Sequence, residues 1–307
     1  MKLNMLNHGR ETYAVYYGDG FVLKRPLEDM SDARKQEWLI KQHKTKETID
    51  AIRAVNHTVY NVPNMVFIND DEYQILEERA PGEKLTRELF RKLSSRQQHE
   101  IVNSIGTFLV DMNELKEARP EPNHKITSEF KFDVLTHFVN NRMTEWFRKN
   151  EALQMKRFCE QIDSFTYNTY YAWSHGDLNS GNVYYDEKTS KLSFIDFAEA
   201  DYYLIFADIF GPVQTDLGIE KQVYEKYSQY HQQSLWRMPS IRNPKMQELM
   251  KYRAESIFMK RFLKASRDLR KNPETPKAKQ NNIDKIAFMR EQMANILALE
   301  QKYSNKR

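Results

Sequence analysis

Three side chains in a short central stretch have the types and spacing to act on one phosphate group: Asp177, Asn182 five residues later, and Asp196 fourteen residues beyond that. They lie in Ser174-His175-Gly176-Asp177-Leu178-Asn179-Ser180-Gly181-Asn182-Val183-Tyr184-Tyr185 and in Phe194-Ile195-Asp196-Phe197. Phosphoryl transfer needs an acceptor hydroxyl aligned with the terminal phosphorus, and it needs the charge on the phosphate oxygens neutralised. Asp177 suits the first task, as base or aligner of the hydroxyl. Asn182 can return from the same loop with a carboxamide oxygen for magnesium, and Asp196 can bridge that metal to the phosphates. Magnesium prefers such hard oxygen ligands and completes its shell with water and substrate phosphates. His175 reads as a brace for the loop. An isolated Asp-x4-Asn would fit a turn or a cap equally well. The specificity lies in the whole string followed by an apolar strand that ends in Asp.

The elements around this stretch fall into two groups. Tyr13-Ala14-Val15-Tyr16-Tyr17 and Phe21-Val22-Leu23-Lys24 flank Gly18-Asp19-Gly20 and predict a hairpin. A long polar helix is expected from Asp32 to Val55, offering Trp38, Leu39, Ile49, Ile52 and Val55 for burial. Met65–Ile68 and Glu72–Leu76 predict a second hairpin. After Ala80-Pro81-Gly82 the pattern becomes mainly helical. Ser94 with Gln97 forms a capping-box signature ahead of the apolar stripe Ile101, Ile105, Phe108, Met112 and Leu115. Helices are expected over 128–149 and 151–170, and short strands around Asn182–Tyr185 and Leu192–Ile195. Helices then resume to the end, including an amphipathic one over 281–303. The expected class is α+β with two lobes: residues 1–79 as a small lobe of mixed sheet plus one helix, and 80–307 as a larger helical lobe. A cleft between such lobes suits a nucleotide.

Composition narrows the classes. A chain of 307 residues can bury about three quarters of its unfolded surface. The single cysteine, Cys159, excludes an internal disulfide and a thiolate-rich metal site, which suits a reducing compartment. The first residues lack a signal-peptide run, and no stretch approaches the ~18 apolar residues of a membrane span. A cytoplasmic location is the expectation. Residues 221–307 hold 20 Lys+Arg against 8 Asp+Glu, so the rest of the chain is acidic despite the net +4. No aromatic-interleaved basic patch or zinc-finger spacing points to a nucleic-acid partner, and none is expected.

His175-Gly176-Asp177-Leu178-Asn179-Ser180-Gly181-Asn182-Val183 with Ile195-Asp196-Phe197 resembles the catalytic and metal loops of the aminoglycoside phosphotransferase and choline kinase superfamily. The fold of that superfamily is similar to that of protein kinases. Glu78-Arg79-Ala80-Pro81-Gly82-Glu83-Lys84-Leu85 resembles its lobe hinge. Phe108–Asn113 resembles its first large-lobe helix, with Asn113 where histidine is common, and Ala207-Asp208-Ile209 resembles the segment after the metal loop, where the Asp is structural. The likeness covers roughly residues 5–215. It implies ATP and magnesium as cofactors, with Asp177 catalytic and Asn182 and Asp196 on the metal. It also implies Lys24 on the α- and β-phosphates, Glu37 as the partner of Lys24, and backbone bonds from Glu78 and Ala80 to adenine. Lysine suits the phosphate role as a compact point charge on a flexible stem. The sequence departs from protein kinases in the phosphate-covering loop: Asn7-His8-Gly9-Arg10-Glu11-Thr12 holds one glycine, so the cover would draw on the Thr12 hydroxyl.

Glu199, Asp201, Tyr202 and Tyr203 follow the metal loop and could face a cationic acceptor, with Asp216, Trp236 and Tyr252 as further candidates. The basic C-terminal region suits a phosphorylated, acidic or sugar acceptor better than a polycation. The leading expectation is an ATP-dependent kinase of a small-molecule hydroxyl: an amino alcohol, a sugar or an aminoglycoside. Its alternatives are a kinase of protein or glycolipid hydroxyls and a nucleotide-binding pseudokinase scaffold.

Overall fold

Short runs near the N-terminus, two of them led by aromatic residues, form the first sheet of the computed structural model. The model describes residues 4–8, 13–18, 20–55, 58–125, 166–209 and 211–230, with isolated positions 243, 244, 280, 283 and 287. Strands β1 (Asn4–His8), β2 (Tyr13–Gly18) and β3 (Phe21–Pro26) run antiparallel, and β3 continues onto the hairpin β5 (Met65–Asn69) and β6 (Gln74–Glu78). The strand order is β1-β2-β3-β6-β5. Helix α1 (Asp32–Ala54) lies between β3 and the second hairpin in sequence, as the polar run predicts. It buries Trp38, Leu39, Ile49 and Ile52, but also Gln42, Thr45 and Thr48. The two threonine hydroxyls donate to Lys41 O at 2.8 Å and Lys44 O at 3.1 Å, which removes the cost of burying them. Val55, expected inside, is 39% exposed.

Helix α3 (Ser95–Glu114) starts on the capping box expected at Ser94 and Gln97. It follows the short helix α2 (Arg87–Lys92). Its buried surface is wider than the predicted stripe, because Val102, Leu109 and Val110 are inside as well as Ile101, Ile105, Phe108 and Met112. The second side is taken by α6 (Glu220–Tyr230). A Cβ on Gly106 would lie 2.9 Å from Lys226 Cβ, so glycine permits that close approach. The short helices α4 (Phe206–Ile209) and α5 (Pro212–Leu217) precede α6.

The hairpin β10 (Val183–Asp186) and β11 (Lys191–Phe194) forms where the sequence places it. It is edged by two strands that sequence patterning does not reveal. β4 (Tyr60–Asn61) pairs parallel with β11, and β7 (Glu83–Lys84) pairs antiparallel with β10. Each is two residues long, too short for any periodicity. A third sheet, in the order β12-β9-β8, comprises β8 (Arg119–Lys125), β9 (Thr166–Ser174) and β12 (Asp201–Leu204). This corrects the expectation of a helix running to residue 170, since 166–170 are strand. The remainder of the helices expected over 128–149 and 151–170 lies outside the described residues, as do Cys159 and most of the segment 281–303.

The chain forms two compact units, residues 1–120 with 170–238, and residues 121–169 with 239–307. The boundary expected near residue 80 falls inside the first unit, where β7 follows at once and joins the β10–β11 hairpin. A Cβ on Gly82, at φ +82°, would meet Tyr185 O at 2.0 Å, so only glycine fits that junction. Among the described residues no helix is long and apolar enough to cross a membrane.

Candidate active site

The loop from His175 to Asn182 rests on an aromatic bed. Phe108 stacks on Phe194 with centroids 3.8 Å apart, Tyr60 meets both edge-on, and the His175 ring lies 4.8 Å from Phe197. His175 is fully buried and both ring nitrogens are used. The Asp177 N–H donates to Nδ1 at 3.3 Å, so Nε2 carries the proton and donates to Ile195 O at 2.9 Å. One imidazole thereby ties the start of the first loop to the residue before Asp196. The brace role expected of His175 matches these bonds.

Asp208 holds the same loop from the other side. Its buried carboxylate accepts the N–H of His175 at 2.8 Å and of Gly176 at 3.4 Å. Gly176 has φ +78°, and a Cβ there would lie 2.4 Å from Glu199 O. The turn that presents Asp177 therefore requires glycine. Asn113 anchors the strand leading into the loop, donating to Trp173 O at 2.8 Å and accepting from the Tyr227 hydroxyl at 2.9 Å. Because Tyr227 gives its proton to Asn113, the 2.9 Å contact between Tyr170 and Tyr227 runs from Tyr170 as donor. Burial first, then the neighbouring Tyr170, pushes the Tyr227 phenol well above its ordinary range.

Asp177 is exposed, and each carboxylate oxygen accepts an amide: Oδ1 from Asn179 Nδ2 at 2.9 Å and Oδ2 from Asn182 Nδ2 at 3.1 Å. Asn182 Nδ2 also donates to Asp177 O at 2.9 Å. Two acceptors on one amide group fix which end is nitrogen, so Oδ1 of Asn182 faces away from Asp177. The Asn182 carbonyl takes the Ile195 N–H at 3.0 Å, which sets Asp196 beside Asn182 along paired backbone. Asp196 itself adopts φ +65°, ψ +61°, a left-handed conformation uncommon outside glycine that aspartate and asparagine adopt more readily than other side chains. The structure thus brings Asp177 and Asn182 into direct contact and places Asp196 on the adjoining turn. Among the described residues no group of three His, Cys, Asp or Glu could hold a metal alone. One carboxamide oxygen and one carboxylate are the kind of incomplete oxygen set that magnesium completes with phosphates and water, so the residues present fit that ion.

Lys24 lies on β3 with Ile75 of β6 opposite, and Glu77 two residues on is its diagonal neighbour on the same face. Lys24 Nζ meets Glu77 Oε2 at 2.7 Å, with both side chains 15% exposed. Glu37, expected as the partner of Lys24, is instead exposed on α1. A sequence shows neither helix rotation nor strand register, and Glu77 emerges only once β3 and β6 are aligned. Glu78 points elsewhere: its Oε2 accepts the Asn64 N–H at 2.9 Å and lies 3.7 Å from Arg53. Arg79 N–H donates to Gly20 O at 2.8 Å, and Ala80 is buried. Thr12 lies outside the described residues, as do Trp236 and Tyr252.

The residues offered for an acceptor are already engaged. Lys41 of α1 pairs with Glu199 at 2.5 Å and Lys44 with Asp201 at 2.9 Å. Burial opposes the charge on Asp201, but the bond from Lys44, the Tyr202 N–H and the charge of Lys116 together hold its carboxyl below the ordinary range. Arg119 lies 3.9 Å over the Tyr202 ring, and Tyr202 meets Trp173 edge-on at 5.4 Å. Tyr203 packs at Gly176, and burial followed by the charges of Glu199, Asp201, Asp208 and Asp177 raises its phenol. Asp216 sits half-buried on α5. Sequence reasoning missed Lys41 and Lys44 because they look like ordinary members of a polar helix.

A model of the phosphotransferase enzyme family matches residues 5–234. No curated protein matches the sequence. Among solved structures, the GDP and kanamycin complex of APH(2")-IIia aligns over 96% of this chain and 93% of its own at 12% identity, with a TM-score of 0.62. A choline/ethanolamine kinase family protein from Mesorhizobium loti aligns over 95% and 88% at 11% identity, TM-score 0.57. The gentamicin complex of APH(2")-IIa aligns over 93% and 91% at 15% identity, TM-score 0.54. At these identities the likeness establishes a shared fold.

Proposed function

The chain belongs to the phosphotransferase enzyme family, and on that premise we propose that it moves the γ-phosphate of ATP to a hydroxyl of a small molecule. The observation that carries this reading is the Asp177 carboxylate, exposed and oriented by Asn179 and Asn182, on a loop whose far end adjoins Asp196. ATP would lie in a crevice between the sheet bearing Lys24 and the loop bearing Asp177, its adenine bonded to backbone at Glu78 and Ala80. Lys24, steadied by Glu77, would hold the α- and β-phosphates. Asn182 and Asp196 would hold magnesium, which when bound supplies charge neutralisation on the phosphate oxygens.

The acceptor oxygen bonds to the γ-phosphorus as the bond from that phosphorus to the β–γ bridging oxygen breaks. The hydroxyl proton passes to Asp177, and ADP leaves with the electron pair of the broken bond. Asp177 can serve because its two amide partners point the carboxylate without supplying the proton it must take up. The test is a transfer screen with γ-labelled ATP over amino alcohols, sugars and aminoglycosides. Asp177→Ala should lower turnover by roughly 10²–10⁴-fold while leaving nucleotide binding in place. Undiminished turnover by that variant would overturn the mechanism.

A further inference from the structure

The surface beside the Asp177 loop is supplied with cations by the chain itself. β12 runs antiparallel to β9 with Asp201 opposite Ser174 and Tyr202 opposite Trp173, so this surface begins where the loop begins. Lys41 neutralises Glu199 and Lys44 neutralises Asp201. Lys116 Nζ stands 3.3 Å over the Trp173 ring, Lys44 lies 5.2 Å from the same ring, and Arg119 covers Tyr202 at 3.9 Å. Lys41, Lys44, Lys116 and Arg119 thus stand with Glu199 and Asp201 on this surface, which the charges of Asp177 and Asp208 also reach at Tyr203. Among the described residues, Lys116 and Arg119 make no ion pair with a carboxylate.

A site for a cationic acceptor needs acidic side chains to receive ammonium groups, or aromatic faces to receive them by cation–π attraction. Here both kinds of receptor already hold a tethered cation of the protein. An incoming polycation would have to displace those lysines from the two carboxylates and the side chains already seated on the two rings. An incoming anion meets the reverse situation. Lys116 and Arg119 rest on neutral rings and can turn to it without breaking an ion pair, and the guanidinium offers a fork of donors matched to carboxylate or phosphate oxygens.

We infer that the acceptor is a hydroxyl compound carrying an anionic group, a carboxylate or phosphate monoester, held by Lys116 and Arg119 beside the Asp177 loop. This rests on the phosphotransferase reading above and narrows its substrate class. The experiment compares kcat/KM with γ-labelled ATP for matched acceptors: glucose, gluconate, glucose 6-phosphate, glucosamine and kanamycin. The anionic pair should exceed glucose by at least tenfold and the amino compounds by more. Lys116→Glu with Arg119→Glu should reverse that order, and the milder Lys116→Gln with Arg119→Gln should flatten it. Preference for glucosamine or kanamycin overturns the inference, as does a ranking that the charge reversal leaves unchanged.

Where none of the five is turned over, calorimetric binding to the ADP- and magnesium-loaded protein decides. Tighter binding of gluconate or glucose 6-phosphate than of glucosamine supports the inference, and its absence overturns it. The two readings fail separately. Transfer to a cationic acceptor that Asp177→Ala abolishes keeps the phosphotransferase chemistry and removes the anionic preference. Failure of transfer across every acceptor class counts against the chemistry, while anion binding still reports on the surface.

Discussion

The loop from His175 to Asn182 and the surface where α1 meets β12 are neighbours, yet they are secured by opposite means. The loop is held by backbone groups, short amide side chains and one buried imidazole, over a stacked aromatic bed. The surface is held by lysines whose side chains are 43% and 47% exposed, reaching carboxylates that are also about half exposed. Short buried partners lose little conformational freedom when they bond, and they leave costly orphans when broken. Long exposed ion pairs contribute a median of about 0–1 kcal/mol and weaken with salt. The geometry of Asp177 is therefore fixed by folding itself, whereas the adjoining surface can be altered by substitution at small cost to stability.

The largest effect that would break this contrast belongs to Asp208. Asp208→Ala removes the acceptor of the buried His175 amide and of the more exposed Gly176 amide and should destabilise the chain by about 2 kcal/mol, since a buried donor left unpaired costs ~1–3 kcal/mol. Denaturant melts measure that loss. Turnover should fall with it, while KM for ATP stays within about twofold in the folded fraction. A variant that melts like the parent would show that the loop does not depend on this brace.

Next comes the lysine of the first sheet. Glu77→Gln should raise KM for ATP by about tenfold, on the order of 1.4 kcal/mol, because Lys24 loses its 2.7 Å partner. Glu37→Gln should change it by less than about twofold. Equal effects would restore the helix carboxylate as the partner.

Smaller still is Lys44→Ala, expected to cost less than about 1 kcal/mol in stability. The wild-type stability contributed by this surface should also fall as salt is added. A loss of several kcal/mol would place the surface in the same class as the loop. The smallest effect is on pH. The Asp201 carboxyl titrates below its ordinary value in the folded chain, so its contribution is present above that ordinary value and is lost as pH falls through the lowered one. Asp201→Asn should flatten that part of the acid limb, below about pH 4, in melting temperature against pH.

Much of the fold was legible in the residues because local chemistry specified it. Gly18-Asp19-Gly20 marked a hairpin that forms, Ser94 and Gln97 start α3 as a capping box, and the Asp177–Asn182 contact follows from their spacing in one loop. One miss is local: Thr166–Ser174 is rich in Thr, Tyr and Trp, a strand signal that adjoins a helical pattern without a break. The other misses are long-range. β4 and β7 exist only because the β10–β11 hairpin offers edges to them. Glu77 and the pairings of Lys41 and Lys44 depend on strand register and helix rotation, which no spacing along the chain discloses.

One consequence of the central hairpin concerns divisibility. β4 lies just before the β5–β6 hairpin in sequence and β7 just after it, and they occupy opposite edges of the β10–β11 pair. The exposed turn at Asp70 and Asp71 lies between them in sequence. A backbone severed there would yield an N-terminal piece stitched along β11 and a C-terminal piece whose β7 remains stitched along β10. Two halves expressed separately have a seam along which to recombine, with the Asp177 loop intact on one of them.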